Sequence, residues 1–209
     1  MSLFNYRGEN TMRQIKIIKK DKLSSSKWSG GTTTQLYIYP ENELYENRNF
    51  TFRISSAKVD LEESTFTKLP NIKRRIMILD GKLKLIHENY HSVTLEKFQQ
   101  DTFYGDWNTK SYGKVTDFNL MLNDNADGFI EYINLKNEKI INPYKNDKYN
   151  NTTEVFYCVR GKINISINNE REQLEAGDVA IIKNIYNLEI KLNNMDKFNS
   201  DIIRTKVNY

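Results

Sequence analysis

Short runs in which large apolar residues alternate with polar ones recur along this chain, separated by polar, turn-forming stretches. Successive side chains of an extended backbone point to opposite sides, so each such run predicts a strand with one greasy and one wettable face. Phe50-Thr51-Phe52-Arg53-Ile54-Ser55 is the strictest case: Phe50, Phe52 and Ile54 fall on one face, Thr51, Arg53 and Ser55 on the other. Val115 to Leu122 predicts a second strand, with Asp117, Asn119 and Met121 opposite Phe118, Leu120 and Leu122. Ahead of both, Trp28-Ser29 and the pair Gly30-Gly31 lead through a turn into Thr32 to Pro40. There Thr33, Gln35, Tyr37 and Tyr39 share one face, and Thr32, Thr34, Leu36 and Ile38 the other. Further strands are predicted over Met12 to Lys20, Leu95 to Tyr104 and Arg75 to His87, the last interrupted by the hairpin or bend signal Asp80-Gly81. Glu62 to Pro70 reads as a turn-rich connection anchored by Phe66 and Leu69. No amphipathic run of about 12 residues predicts a helix, so the chain reads as all-β and mostly antiparallel, a sandwich or barrel.

The pattern also repeats itself. Ile78-Leu79-Asp80-Gly81-Lys82-Leu83-Lys84-Leu85 returns as Cys158-Val159-Arg160-Gly161-Lys162-Ile163-Asn164-Ile165. Each copy follows an apolar strand and is followed by a second rise, through Leu95-Glu96-Lys97-Phe98 with Thr102-Phe103-Tyr104 and through Leu174 to Ile182. Two copies of one small β-unit are therefore expected, residues 13–125 and 126–209, joined near Asp124 to Gly128. The first carries the candidate site; the second is smaller and without metal ligands. Residues 1 to 12 are polar and receive no function.

Composition narrows the function classes. With 209 residues, 38% of them hydrophobic, the chain can bury one substantial core or two small fused ones. No run of about 18 apolar residues exists and the N-terminus lacks the apolar centre of a signal peptide, so a cytoplasmic protein is expected. The net charge of +4 comes from 31 basic residues scattered among 27 acids. Its densest basic groups, Lys19-Lys20-Asp21-Lys22 and Lys73-Arg74-Arg75, are short and read as solvated loops or strand edges, which argues against nucleic-acid binding. The single cysteine, Cys158, lies between Phe156 and Val159 in an apolar run and is expected to be buried packing.

Glu154-Val155-Phe156-Tyr157-Cys158-Val159-Arg160-Gly161, followed by Leu174-Glu175-Ala176-Gly177-Asp178-Val179-Ala180-Ile181-Ile182, resembles the cupin signature of a Gly-turn hairpin and a later Gly-Asp hairpin. Trp28-Ser29-Gly30-Gly31-Thr32-Thr33, Phe52-Arg53-Ile54-Ser55-Ser56-Ala57, Phe66 to Pro70, Gly105-Asp106 and Asp117-Phe118-Asn119-Leu120-Met121 extend the likeness. With them the chain resembles the HutD/Ves family, closely over residues 15–125 and loosely beyond. The resemblance implies a bicupin: two fused cupin-type (jelly-roll) β-barrels with few or no long helices. It also implies kinship with proteins linked to histidine utilisation, where a regulatory role through binding a small acidic pathway intermediate has been suggested, and with stress-associated proteins. No catalytic activity comes with it.

Cupin enzymes mostly hold a metal through several histidines and a carboxylate, because a divalent transition metal needs three or more N or O donors converging on one point. This chain has two histidines, His87 and His91, flanking Glu88-Asn89-Tyr90, and they read as solvent-exposed turn residues. No metal and no cofactor is expected. A nucleophilic Ser55 or Ser56 would need one of these histidines with an orienting carboxylate, and no pairing of acids marks acid/base work, so no catalytic residue is assigned. A recognition site remains. If the polar faces of the three N-terminal strands point into the barrel, Thr33, Gln35, Arg53, Ser55 and Asn119 line one cavity. Trp28 and Phe103 would wall its mouth, and Asp106 or Asp117 could pair with Arg53. A guanidinium grips a carboxylate through two parallel hydrogen bonds while amides and hydroxyls satisfy the rest, so the expected partner is a small carboxylate-bearing metabolite. The ligand-binding set is thus Trp28, Thr33, Gln35, Arg53, Ser55, Asp106 and Asn119; nucleic acid and membrane are not expected, and a homodimer is allowed. The expected role is a non-catalytic sensor or accessory factor in amino-acid catabolism, histidine breakdown being the pathway the resemblance suggests. The alternatives are a metal-free cupin enzyme, isomerase or hydrolase, on a related acid, and a stress-associated scaffold.

Overall fold

The computed structural model describes residues 14–209; the polar N-terminal stretch and the start of the strand predicted over Met12 to Lys20 lie outside them. Strands dominate. The first half contains β1 (Ile15–Ile18), β2 (Ser24–Trp28), β3 (Gly31–Tyr39), β4 (Phe52–Val59), β5 (Glu63–Thr65), β6 (Ile72–Gly81), β7 (Leu83–His87), β8 (His91–Leu95), β9 (Gln100–Tyr104), β10 (Thr109–Tyr112) and β11 (Val115–Asn123). The second half contains β12 (Asp127–Leu135), β13 (Glu138–Ile141), β14 (Thr152–Arg160), β15 (Lys162–Ile167), β16 (Glu170–Glu175), β17 (Val179–Lys183), β18 (Ile190–Asn194) and β19 (Ser200–Asn208). Among the described residues the only helical pieces are two single 3-10 turns, Lys20–Lys22 and Tyr45–Asn47, and no helix is long and apolar enough to cross a membrane.

The strands make four antiparallel sheets: a six-stranded one (β2-β3-β4-β11-β6-β9), a five-stranded one (β1-β17-β14-β19-β12), and two four-stranded ones (β5-β10-β7-β8 and β13-β18-β15-β16). Strand parity determines how they stack. Phe52, Ile54, Met77, Leu79, Phe118, Leu120 and Leu122 on one face of the six-stranded sheet pack against Ile130, Val155, Val179, Ile181, Ile203 and Val207 of the five-stranded sheet. The opposite face of each large sheet carries its own smaller sheet. Ile76, Ile78 and Phe103 meet Leu83, Leu85 and Leu95 on one side, and Phe156, Cys158 and Ile202 meet Ile163, Ile165 and Leu192 on the other. Alternation along β4 and β11 therefore puts one set of residues into the central core and leaves the other facing the space under the outer sheet.

Several expectations are corrected at this level. The sheets stay open, since no ladder joins a large sheet to its facing small one, and closed barrels are not formed. The edges explain this: β2 is exposed along its whole length and β5 is a three-residue strand with an exposed Glu63, poor templates for further pairing. Asp80-Gly81 makes a bend that carries the chain from the six-stranded sheet into its small partner, with β6 and β7 unpaired to each other. Gly81 has φ 87°, and a Cβ there would stand 2.6 Å from the Lys114 carbonyl oxygen, so the bend requires glycine. Its echo Gly161 makes the same crossing from β14 to β15 with φ 93°. Residues 15–18, read with the N-terminal half, pair as β1 with β17 of the five-stranded sheet. In β3 a bulge between Gln35 and Tyr37 resets the alternation. Leu36 and Tyr37 both enter the central core, while Ile38 joins Phe50, Leu69, Ile72 and Met121 in a separate cluster. Cys158 is buried as expected, and burial pushes its thiol up to about 12, the opposite of a reactive cysteine.

Candidate ligand-binding site

The face of the six-stranded sheet that looks away from the central core is built in rows by strand register. Gln35, Ser55 and Asn119 lie side by side across β3, β4 and β11. One row along, Arg53, Met121 and Arg74 lie side by side across β4, β11 and β6. On the other side, Thr33, Ala57 and Asp117 form a third row. Between this face and the outer sheet is a cavity of about 420 Å³, to which the outer sheet and its connections contribute Ser64, Phe66, Leu83 and Ser111. The loop before β4 closes one end. Its 3-10 turn, ended by Arg48 in the left-handed region (φ 61°), presents Tyr45, whose ring stacks on Phe50.

Three guanidinium groups converge here. Arg53 is 5% exposed; its Nε donates to Gln35 Oε1 at 2.9 Å and its Nη1 to Ser55 Oγ at 3.1 Å, leaving its Nη2 end without a hydrogen bond among the described residues. The Arg53 and Arg48 guanidinium carbons lie 4.2 Å and 3.7 Å from the Tyr45 ring centroid, a cation–π arrangement. Arg74, 6% exposed, rests over the Phe66 ring at 4.6 Å and near Phe103 at 5.3 Å, and its Nε has no hydrogen-bond partner among the described residues. Asn119 Oδ1 is likewise buried and unpartnered among the described residues. No carboxylate stands within 4.0 Å of Arg53 or Arg74 among the described residues, although buried cations are normally paired. Burial lowers the pKa of both, that of Arg74 to about 10, and a guanidinium stays charged at neutral pH in proteins. Burial also raises Asp117 to about 7, against the opposing pull of the Arg74 charge and of a backbone N–H from Ala57.

Of the residues singled out from sequence, Trp28, Thr33, Arg53, Ser55 and Asn119 line the cavity, and Gln35 reaches it through its bond to Arg53. Trp28 is 41% exposed at the rim, its ring lying over Gly30. Phe103 is buried beneath Arg74. Asp106 does not join them: it stands exposed in the turn after β9. Asp117 occupies the cavity instead. Arg74, read as part of a solvated basic run, is buried because β6 is an interior strand and the parity that sends Lys73 and Arg75 to the other face turns Arg74 toward Phe66 and Phe103. Its position two residues before the apolar run Ile76-Met77-Ile78 was the available signal. Tyr45 and Arg48 come from a polar loop with no periodicity to read. His87, read as an exposed turn residue, is buried at 2% because it ends β7 under the Phe103 and Trp107 rings; His91 is exposed.

Antiparallel sheets stacked in facing pairs, with a polar cavity inside one pair, define a protein of cupin-like fold. The family model described as HutD matches residues 20–198, and the chain belongs to the HutD family. A conserved protein of unknown function from Pseudomonas aeruginosa is similar in structure at a TM-score of 0.81 and 18% identity, over 94% of this chain and 100% of that one. HutD from Pseudomonas fluorescens, solved in a formate condition, follows at 0.68 and 16%, over 91% of this chain and 97% of that one. Oxalate decarboxylase of Lactobacillus farciminis in complex with formate reaches 0.60 at 7% identity, over 91% of this chain and 85% of that one. At these identities the likeness speaks for the fold alone. No curated protein matches the chain in sequence.

Proposed function

We propose that this HutD-family protein is a two-lobed bicupin whose N-terminal lobe binds a small carboxylate-bearing metabolite, and that it acts in the cytoplasm as a non-catalytic sensor or accessory factor in amino-acid catabolism, histidine breakdown being the first pathway to test. One observation carries the reading: Arg53 and Arg74 are buried on either side of Met121 with donor atoms unused and no carboxylate at ion-pair distance among the described residues. Desolvating a cation without a partner is costly, and an anionic ligand removes that cost. The second lobe supplies an internal contrast. By alternation with Ile202, Arg204 faces the corresponding layer, and there it is paired with buried Glu154 at 2.8 Å. The exposed Glu46 and the buried Asp117 are the acids against the three guanidinium groups of the N-terminal cavity. Oxalate decarboxylase in complex with formate, and Pseudomonas fluorescens HutD solved in a formate condition, are consistent with a carboxylate in this fold.

The test is thermal unfolding with N-formylglutamate, formiminoglutamate and urocanate. Ligand at about a hundredfold Kd should raise Tm by roughly 5–10 °C for a chain of this size, and Arg53→Ala should abolish the shift. No shift with any of the three acids rejects the reading.

Asp117 adds a pH dependence with a definite sign. Below about 7 its carboxyl is neutral and the cavity is more positive; above, it ionises and repels an anionic ligand. Affinity measured calorimetrically should therefore fall by about tenfold between pH 6 and 8, and Asp117→Asn should flatten the profile. The same group favours a second reading, a metal-free enzyme on a related acid, because a carboxyl poised near neutrality suits proton transfer. Turnover of a bound acid that disappears in Asp117→Asn while binding persists would select it.

A further inference from the structure

Outside the residues that line the cavity, a second constellation bridges the six-stranded sheet and its small partner. His87 on β7 and His91 on β8 are directly paired across their hairpin, with ring centroids 4.5 Å apart. Asp101, on edge strand β9 of the facing sheet, reaches both. Its Oδ2 lies 2.9 Å from His87 Nε2 and 3.1 Å from His91 Nε2, and its Oδ1 lies 3.2 Å from the latter. Donors held at about 2.0–2.2 Å around one tetrahedral ion are separated by about 3.3–3.6 Å, and the three candidate ligand atoms here all lie within 4.8 Å of one another, so small side-chain shifts suffice to admit an ion. Two imidazoles and one carboxylate form a donor set for borderline ions such as zinc, cobalt or nickel, and an unlikely one for calcium or magnesium, which favour all-oxygen shells.

The surroundings support the same role. Thr109 Oγ1 lies 2.8 Å from His87 Nδ1; without an ion Nε2–H donates to Asp101 and Nδ1 accepts from the threonine, and with an ion bound the ring would instead donate Nδ1–H to Thr109 and offer its Nε2 lone pair to the metal. Phe103 and Trp107 pack on His87, with Tyr90 stacked on Trp107 at 3.7 Å, and together they give the donors an apolar wall. The His91 side chain, 40% exposed, leaves an approach from solvent.

We propose that His87, His91 and Asp101 bind one divalent transition-metal ion of the zinc type, with Thr109 as the positioning residue. Three protein donors leave a fourth position for water. The ion would tie the β7–β8 hairpin to β9, closing an edge that no backbone ladder closes, so its effect is on stability as well as on any chemistry at the open position.

The full chain, stripped with EDTA and dialysed, is titrated with Zn²⁺ by calorimetry and with Co²⁺ by visible absorption. One equivalent of each ion is expected, with the intense d–d bands of a four-coordinate cobalt site and a higher melting temperature in the loaded protein. His91→Ala, at an exposed position that leaves the fold intact, and Asp101→Asn should each weaken Zn²⁺ binding by at least about tenfold; Thr109→Val should weaken it by about tenfold and shift the cobalt bands while one equivalent still binds. Absence of heat and of cobalt bands in the wild-type chain overturns the proposal, and so does Zn²⁺ affinity in His91→Ala equal to that of the wild type.

Discussion

Arg74→Met is expected to make the empty protein more stable and the liganded one less so. Met has nearly the length of the arginine stem and no charge to desolvate, and it would keep contact with the Phe66 and Phe103 rings that now hold the guanidinium. Replacing even a buried ion pair by apolar side chains of similar volume is often neutral or stabilising by about 1–4 kcal/mol, and among the described residues Arg74 has an unpartnered Nε and no ion pair to lose. Part of the gain is offset by the lost cation–π contacts, worth about 0.5–2 kcal/mol, so a net gain of up to about 3 kcal/mol is the expectation. The same substitution removes charge-assisted hydrogen bonds to a bound carboxylate, worth about 1.5–3 kcal/mol, and should weaken ligand binding by up to about a hundredfold. Urea unfolding without ligand and calorimetry with it measure the two effects separately. A variant less stable than the wild type and unchanged in affinity would show that Arg74 is there for packing alone.

The corresponding change in the other lobe should have the opposite sign. Arg204 grips Glu154 through two parallel bonds of 2.8 Å and donates a third, of 2.9 Å, to Glu131. Glu154 is 2% exposed, so Arg204→Met strands a buried carboxylate. Breaking a buried pair from one side typically costs about 3–5 kcal/mol, and the urea midpoint should fall accordingly. Adding Glu154→Gln to Arg204→Met should restore much of the loss, since the stranded charge is what destabilises. If the single variant unfolds at the wild-type midpoint, the pair has no structural weight and the contrast between the lobes disappears.

Together the two experiments separate a structural arginine from a functional one. Both residues sit in a layer between a large and a small sheet; only the company of a carboxylate differs. An internal acid satisfies Arg204, whereas Arg53 and Arg74 have no carboxylate at ion-pair distance among the described residues, the difference on which the proposed ligand site rests.

Much of this architecture can be read from the sequence, for a simple reason. Period-two alternation depends on the residues of a single strand, so Arg53, Ser55, Asp117 and Asn119 could be assigned to common faces, and their facing the same cavity followed once β4 and β11 paired. The duplicated Gly bends were legible because Gly81 and Gly161 adopt conformations that a Cβ would obstruct. What alternation cannot say is what covers a face. The burial of Arg74 depends on Phe66 arriving from the β5–β6 connection, the position of Tyr45 on a loop turn, and the reach of Asp101 to His87 on β9 lying at the sheet edge opposite β7 and β8. A one-residue bulge in β3 redirected Tyr37 and Ile38, and β1 found its partner in β17, more than a hundred and fifty residues away along the chain. The sequence by itself determined the all-β class, the faces of strands such as β4 and β11, and the family, but not β5, β10, β12, β13, β18 or β19; the stacking of sheets decided which polar faces were sealed from water, and sealing is what turns an arginine on a strand into a candidate binding site.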